Sequence, residues 1–408
     1  MNKFNDFGLL PSLLETLNAK KIFKPSEIQA SAIPMMMAGQ SVVGVAETGS
    51  GKTFAYALPL LHKLKLLENE GYPVTEDASP RAVIVVPTRE LGEQVSKVFK
   101  TFTHGTRLRV RPALGGMTMV QARANVASPF EILLATPGRL LQLLQKDLLN
   151  MSDVRMLIFD EADEMLDQGF LPDSDTITSA CPKDVQMAMF TATLSASVQD
   201  LINMQFTSAE VIRTTGAGKT VTSLTTHNRT VKDGVRWEVF ETILAKPITG
   251  GTLVFVNTRE QCDKLAKEIV EKGYNCAVYR GEMDKNDRRA NLKKFRDGKI
   301  DILVSTDLAA RGLDLEHVGR VVNFHLPRQM VNYLHRAGRT ARAGKPGVVI
   351  NLVTERDQRL ISQLNAKTPK VDPNKGELRT TAKPAALPGR KNSPVNKKKS
   401  KKLGFQRA

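Results

Sequence analysis

"SVVGVAETGSGKTFAYALPLLHKLKLL", residues 41–67, places three features in a fixed order: an apolar β-branched run, a Gly-rich turn, and a stretch with apolar residues at helical spacing. A strand that delivers the chain to such a turn, followed at once by a helix, makes a phosphate-binding loop. The turn's N–H groups converge, and the positive end of the helix faces the anion. Ala46, Glu47, Thr48, Gly49, Ser50, Gly51, Lys52 and Thr53 fill the loop. In such a loop the Lys neutralises β/γ-phosphates and the Ser/Thr hydroxyl ligates Mg²⁺. "TTGAGKT" (214–220) ends in the same three letters but fails the same test. Counting back from Gly218, the opening small residue would be Arg213, and "VTSLTTHNRTV" after it is rich in β-branched residues and poor as a helix. It reads as a linker over 214–222.

Working outward, short apolar runs recur on both sides of that linker. On the N-terminal side they are 41–46, 81–88, 131–137, 155–160 and 186–193; on the C-terminal side 252–258, 275–281, 301–307, 320–327 and 347–355. Helical patterns such as "REQCDKLAKEIVEKG" (259–273) lie between them. Strands that are nearly all apolar and alternate with helices predict parallel sheets covered on both faces. The expected fold class is α/β, with two domains of similar design at 1–213 and 223–365. "GYPVTEDASP" (71–80) reads as a surface loop.

The net charge of +17 is uneven. From Ala366 to Ala408 there are thirteen Lys and Arg against two acidic residues, so this stretch carries +11 and the rest +6. With Pro, Lys, Ser and Asn but few large apolar residues, it is expected to be a disordered tail. Such a charge suits a polyanion, most often nucleic acid, or serves solubility. No apolar run approaches the ~20 residues of a membrane helix, and nothing resembles a signal peptide. Cys181, Cys262 and Cys276 lack metal-ligand spacing, and their odd number argues against a disulfide framework. A reduced, cytoplasmic setting is expected.

"MLIFDEAD" (156–163) puts Asp160 and Glu161 at the C-terminal end of a buried strand, where α/β sheets place their chemistry. One carboxylate can hold Mg²⁺ while its neighbour orients a water toward the γ-phosphate.

With Asp160-Glu161-Ala162-Asp163 the chain resembles the DEAD-box RNA helicases of superfamily two, which have tandem RecA-like domains, from about Phe4 to Thr354. The resemblance implies ATP and Mg²⁺ in a cleft between the domains. "FKPSEIQ" (23–29) is similar to the family's adenine motif, with Gln29 on the adenine edge and Phe23 beside it. Mg²⁺ falls to Thr53 and Asp160, and Lys52, Asp160 and Glu161 become catalytic. Asp314 goes to the ribose, and Arg339 and Arg342 to the γ-phosphate. "PTREL" (87–91), "GG" (115–116) and "TPGR" (136–139) resemble the RNA-backbone motifs, nominating Pro87, Thr88, Arg89, Gly116, Thr136, Pro137, Gly138 and Arg139. Thr258, Gly281 and Thr306 are their counterparts in domain two. "TAT" (191–193) and "HRAGRTAR" (335–342) resemble the coupling motifs, with Asp163, Thr191, Thr193 and His335 joining hydrolysis to strand separation.

This chain departs from the family pattern at Lys21 and Ile22, where Gly and an adenine-stacking aromatic are usual and Phe23 stands one place late, at Thr191, where Ser is usual, at Lys285 for Gln, and at Ala337 and Ala341 for Ile and Gly. None of these changes removes a charged catalytic group. The implied partners are single-stranded RNA and short duplexes, with ribonucleoprotein or ribosome-assembly partners, acting as a monomer. Two other readings stay open: a nucleotide-gated RNA clamp or annealing factor, and a DNA translocase of the same superfamily.

Overall fold

Parallel pairing follows from the apolar runs, because a strand apolar at every position can bury both faces only inside a helix-covered sheet. A computed structural model of the chain describes residues 3–215, 224–232, 234–281, 283–310, 315, 317–341 and 346–367. These fall in one compact unit with two sheets, each forming a lobe.

Lobe one contains β1 (Val42–Val45), β2 (Ala82–Val85), β3 (Val110–Ala113), β4 (Ile132–Ala135), β5 (Met156–Asp160), β6 (Gln186–Thr191) and β7 (Glu210–Arg213). They lie in the order β3-β4-β2-β5-β6-β1-β7, all parallel. Lobe two contains β8 (Leu224–Thr230), β9 (Gly251–Val256), β10 (Cys276–Tyr279), β11 (Ile302–Thr306), β12 (Val318–Asn323) and β13 (Gly347–Val353). Their order is β10-β11-β9-β12-β13-β8, again parallel.

Strand alternation splits each lobe into two cores. In lobe one Val42, Ile84, Leu134, Ile158 and Phe190 face one layer of helices. Val43, Val45, Val83, Val85, Leu133, Leu157, Phe159 and Met189 face the other. Lobe two divides the same way, with Leu253, Phe255, Leu303 and Val321 on one side and Val254, Val256, Val304 and Val322 on the other. Fully burying each such side chain contributes about 1.5–3 kcal/mol.

The apolar pattern predicts five strands per lobe, and all ten form. The structure adds β3, β7 and β8. Each of these three lies at a sheet edge, where one face or one side meets water and no continuous apolar run is required. β8 alternates partly and fully exposed residues, so "LTTHNRT", read above only as poor helix, is a strand. Thr214 N–H and its hydroxyl both donate to Val45 O, at 3.1 and 3.4 Å. Residues 216–223, which include Lys219, lie outside the described residues, as does the stretch from Thr368 onward. The last described helix, Gln358–Lys367, runs two residues past the point where the basic composition begins. The 71–80 segment is a loop with Val74 buried. Among the described residues no helix is long and apolar enough to cross a membrane.

Candidate functional site

Parallel strands that share one direction bring all their C-terminal ends to one edge. In lobe one, β5, β6 and β1 are adjacent, and they lead into Asp160-Glu161, Thr191–Thr193 and the Ala46–Thr53 loop respectively. The next three strands, β3, β4 and β2, lead into Gly116, Thr136–Arg139 and Pro87–Arg89. One edge is thus divided into a half bearing the phosphate loop and carboxylates and a half bearing Thr, Gly and Arg. Lobe two repeats the division. Gly281, Thr306 and Thr258 follow or end the adjacent strands β10, β11 and β9, and the helix Met330–Ala337 with His335, then Arg339 just past its end, follows β12.

The phosphate loop enters the helix Lys52–Asn69 through Gly51, whose φ of 88° is left-handed. A Cβ on Gly51 would also stand 2.3 Å from Gln29 Nε2, so glycine is required twice over. Gln29 Nε2 donates to Gly51 O at 3.0 Å and Gln29 Oε1 accepts from Ser26 N–H at 2.9 Å, which ties the 23–29 segment to the loop. The Lys52 ammonium donates to Ala46 O at 2.8 Å and Glu47 O at 3.0 Å, inside the turn. Ala46 N–H donates to Thr191 O at 3.0 Å, binding the loop to the end of β6. Gly49 is also left-handed, and the Ser50 hydroxyl is buried without a hydrogen-bond partner among the described residues. The Phe23 ring is 60% exposed.

Asp160 is buried in a web of donors. Its Oδ2 accepts from the Tyr56 hydroxyl at 2.8 Å and its Oδ1 from Glu161 N–H at 3.0 Å. Burial first and Glu161 second push its carboxyl up to about 6, against the pull of Lys52 and Tyr56. Glu161 has a left-handed φ of 52° at the start of the helix Ala162–Asp167. Burial pushes its carboxyl up, but His335, Arg339, a hydrogen bond with Glu164, and Lys52 together hold it below the ordinary range. Two of those groups come from lobe two. Asp163 Oδ2 accepts from Ala192 N–H (3.2 Å), Thr193 N–H (3.0 Å) and the Thr193 hydroxyl (2.9 Å), and His335 Nε2 lies 3.8 Å away. The Thr191 hydroxyl closes this turn onto Thr193 O at 2.9 Å.

The lobes therefore meet along the phosphate-loop half. A Cβ on Gly338 would stand 2.0 Å from the Thr48 hydroxyl of the loop. On the other half Arg288 pairs with Glu90, across the lobes. Arg336, 1% exposed, anchors the His335–Arg339 segment. It pairs with Asp307, donates to Asn323 Oδ1 (3.0 Å), Asn257 Oδ1 (2.9 Å) and His325 O (2.6 Å), and stacks 5.0 Å from the Phe255 ring.

The Thr, Gly and Arg half is shaped by helix caps. The Thr88 and Thr258 hydroxyls accept from Leu91 N–H and Gln261 N–H, both at 3.3 Å. Thr136 caps a helix that begins with Pro137, followed by the open Gly138. Arg139 bonds Met117 O and Gln142, and Arg89 pairs with Glu93 at 2.8 Å beside Gly116. Asp314 and Arg342 lie outside the described residues.

Sequence reasoning missed Tyr56, Glu164, Arg336 and the Arg288–Glu90 pair. Arg336 carried a signal, since it sits inside "HRAGRTAR". Tyr56 carried none, because an aromatic in an apolar helix reads as core.

Two family models match the chain. DEAD/DEAH box helicase covers residues 26–201 and the helicase conserved C-terminal domain covers 234–344. The DEAD-box ATP-dependent RNA helicase RhpA of Helicobacter pylori strain B128 is 35% identical over 352 residues, 86% of this chain and 69% of that protein. The DEAD-box ATP-dependent RNA helicase CshA of Bacillus subtilis strain 168 is 32% identical over 366 residues, 90% of this chain and 72% of that protein. In structure, S. cerevisiae Dbp5 bound to RNA and ADP BeF3 matches with a TM-score of 0.80 at 26% identity, covering 91% of this chain and 95% of that one.

Proposed function

Because the chain belongs to the DEAD-box family of ATP-dependent RNA helicases, we propose that it hydrolyses ATP in the cleft between its lobes and uses their closure on RNA to separate short duplexes locally. The observation that carries this reading is the meeting of the lobes at the carboxylates, where His335 Nε2 of lobe two lies 3.8 Å from Asp163 Oδ2 of lobe one and His335 and Arg339 help hold the Glu161 carboxyl below its ordinary range. A site built from both lobes is complete only when they are together.

ATP phosphates lie against the loop amides of Glu47–Thr53 with Lys52 as counter-charge, and Gln29 takes the adenine edge. Phe23, exposed beside it, stacks on the base. Thr53 and Asp160 hold Mg²⁺. Their oxygens are hard donors that suit this ion, and a buried carboxyl pushed up to about 6 beside a second carboxylate gains from a divalent charge. When bound, Mg²⁺ neutralises charge on the β/γ-phosphates. Glu161, held ionised, orients the attacking water. Arg339 and, by the family pattern, Arg342 stabilise transition-state charge, a contribution of about 10³–10⁵ in rate. Asp314 takes the ribose. Asp163, Thr191, Thr193 and His335 link the γ-phosphate end of the cleft to the lobe interface.

RNA runs along the other half of the edge, over Pro87, Thr88, Arg89, Gly116, Thr136, Pro137, Gly138 and Arg139, and over Thr258, Gly281 and Thr306 in lobe two. Hydroxyls, helix N-termini and Arg suit phosphate and 2′-OH, so binding is largely sequence-independent. The Dbp5 structure of matching fold was solved with RNA and ADP BeF3, which supports this course. The basic residues after Ala366 add salt-sensitive affinity for the RNA backbone. Ribonucleoprotein substrates in the cytoplasm fit this chemistry. So do three free cysteines whose thiols burial pushes up to about 12.

A nucleotide-gated clamp would use the same cleft without unwinding. Strand displacement on a short RNA duplex separates the two readings. We expect displacement in ATP and Mg²⁺ and none in ADP; RNA-stimulated ATP turnover without displacement would favour the clamp.

A further inference from the structure

We propose that Tyr56 is a positioning residue for the cation side of the site, its hydroxyl fixing the carboxylate that faces Mg²⁺. The inference rests on the reading of Asp160 and Thr53 as the Mg²⁺ ligands, and goes beyond it by assigning what holds Asp160 in place.

Tyr56 and Thr53 are three residues apart on the helix Lys52–Asn69, so they share a face. The Tyr56 ring is fully buried between Phe190, with centroids 5.4 Å apart, and Phe99, 6.4 Å away and stacked. A phenol hydroxyl at the end of such an apolar slot is costly unless it is bonded. It donates to Asp160 Oδ2 at 2.8 Å, from the helix face it shares with Thr53. With Glu161 N–H on Oδ1 at 3.0 Å, each Asp160 oxygen accepts one fixed donor and keeps a lone pair. One rigid hydroxyl therefore sets the rotation of Asp160 relative to the helix turn that carries Thr53. Outer hydrogen bonds of this kind orient metal ligands, and losing one typically costs about 10–100-fold in metal affinity.

Tyr56→Phe keeps the ring and its packing and removes only the hydroxyl. The measurement is binding of a fluorescent ADP analogue to the full chain, titrated with Mg²⁺ and repeated in EDTA, with Asp160→Asn in parallel. In Tyr56→Phe the Mg²⁺ concentration for half-maximal tightening should rise about tenfold or more. Affinity in EDTA should stay at the wild-type value, and ATP turnover should recover at high Mg²⁺. Asp160→Asn should lose the tightening altogether. A Tyr56→Phe midpoint within twofold of wild type overturns the inference, as does an equal loss of affinity in EDTA, which is the mark of a merely structural hydroxyl. If Asp160→Asn keeps the Mg²⁺-dependent tightening, the underlying ligand assignment fails instead.

Discussion

Lys52 and Lys219 stand in two stretches that look alike, and Lys52 opens a helix behind a strand. Lys52→Ala should abolish ATP turnover, because it removes the cation inside the phosphate loop. Lys219→Ala should leave turnover and ATP affinity within a few-fold of wild type. Steady-state ATPase assays at saturating RNA check both, and equal damage from the two substitutions would overturn the linker reading of 214–222. At this scale the sequence was informative wherever chemistry demands an unusual residue in a fixed setting, as at Gly51, Lys52, Asp160 and Glu161. It was silent on Tyr56, whose hydroxyl matters only because β5 brings Asp160 to within 2.8 Å, 104 residues along the chain.

Among the elements, the helix Met330–Ala337 carries His335 and leads to Gly338 and Arg339, and its approach to the phosphate loop depends on the absence of a Cβ at 338. Gly338→Ala would bring the new methyl to 2.0 Å from the Thr48 hydroxyl. Thr48 is in the other lobe, so the substitution should spare the folding of each lobe and oppose their contact. We expect a melting temperature within a few degrees of wild type and a clear loss of RNA-stimulated ATPase. A wild-type rate would mean the lobes do not need this approach. Element legibility follows burial. β1 and β5, interior strands that are apolar but for Gly44 and the terminal Asp160, were readable as strands. β3 contains Arg111 and Pro112, β7 is mostly exposed and β8 is polar; each forms because a neighbouring strand offers hydrogen bonds at a sheet edge, a cause that lies elsewhere in the chain.

For the whole molecule, the two sheets present their C-terminal edges to one cleft, with the phosphate loop and carboxylates on one half and the Thr, Gly and Arg groups proposed to take RNA on the other. Arg288–Glu90 bridges the lobes on the second half, and His335 approaches Asp163 on the first. If, as proposed, ATP and RNA both bind across the two lobes, they stabilise the same closed arrangement, and linkage then requires each to tighten binding of the other. The most direct measurement is RNA affinity of Glu161→Gln with and without ATP. The substitution keeps the shape of the side chain and removes the carboxylate that orients water, so ATP binds and persists. The account predicts that ATP tightens RNA binding by about tenfold or more, within the usual range of coupling between sites, and that the complex dissociates more slowly than that of the wild-type chain. Equal RNA affinity in the presence and absence of ATP would contradict closure as the step that joins the two halves of the cleft.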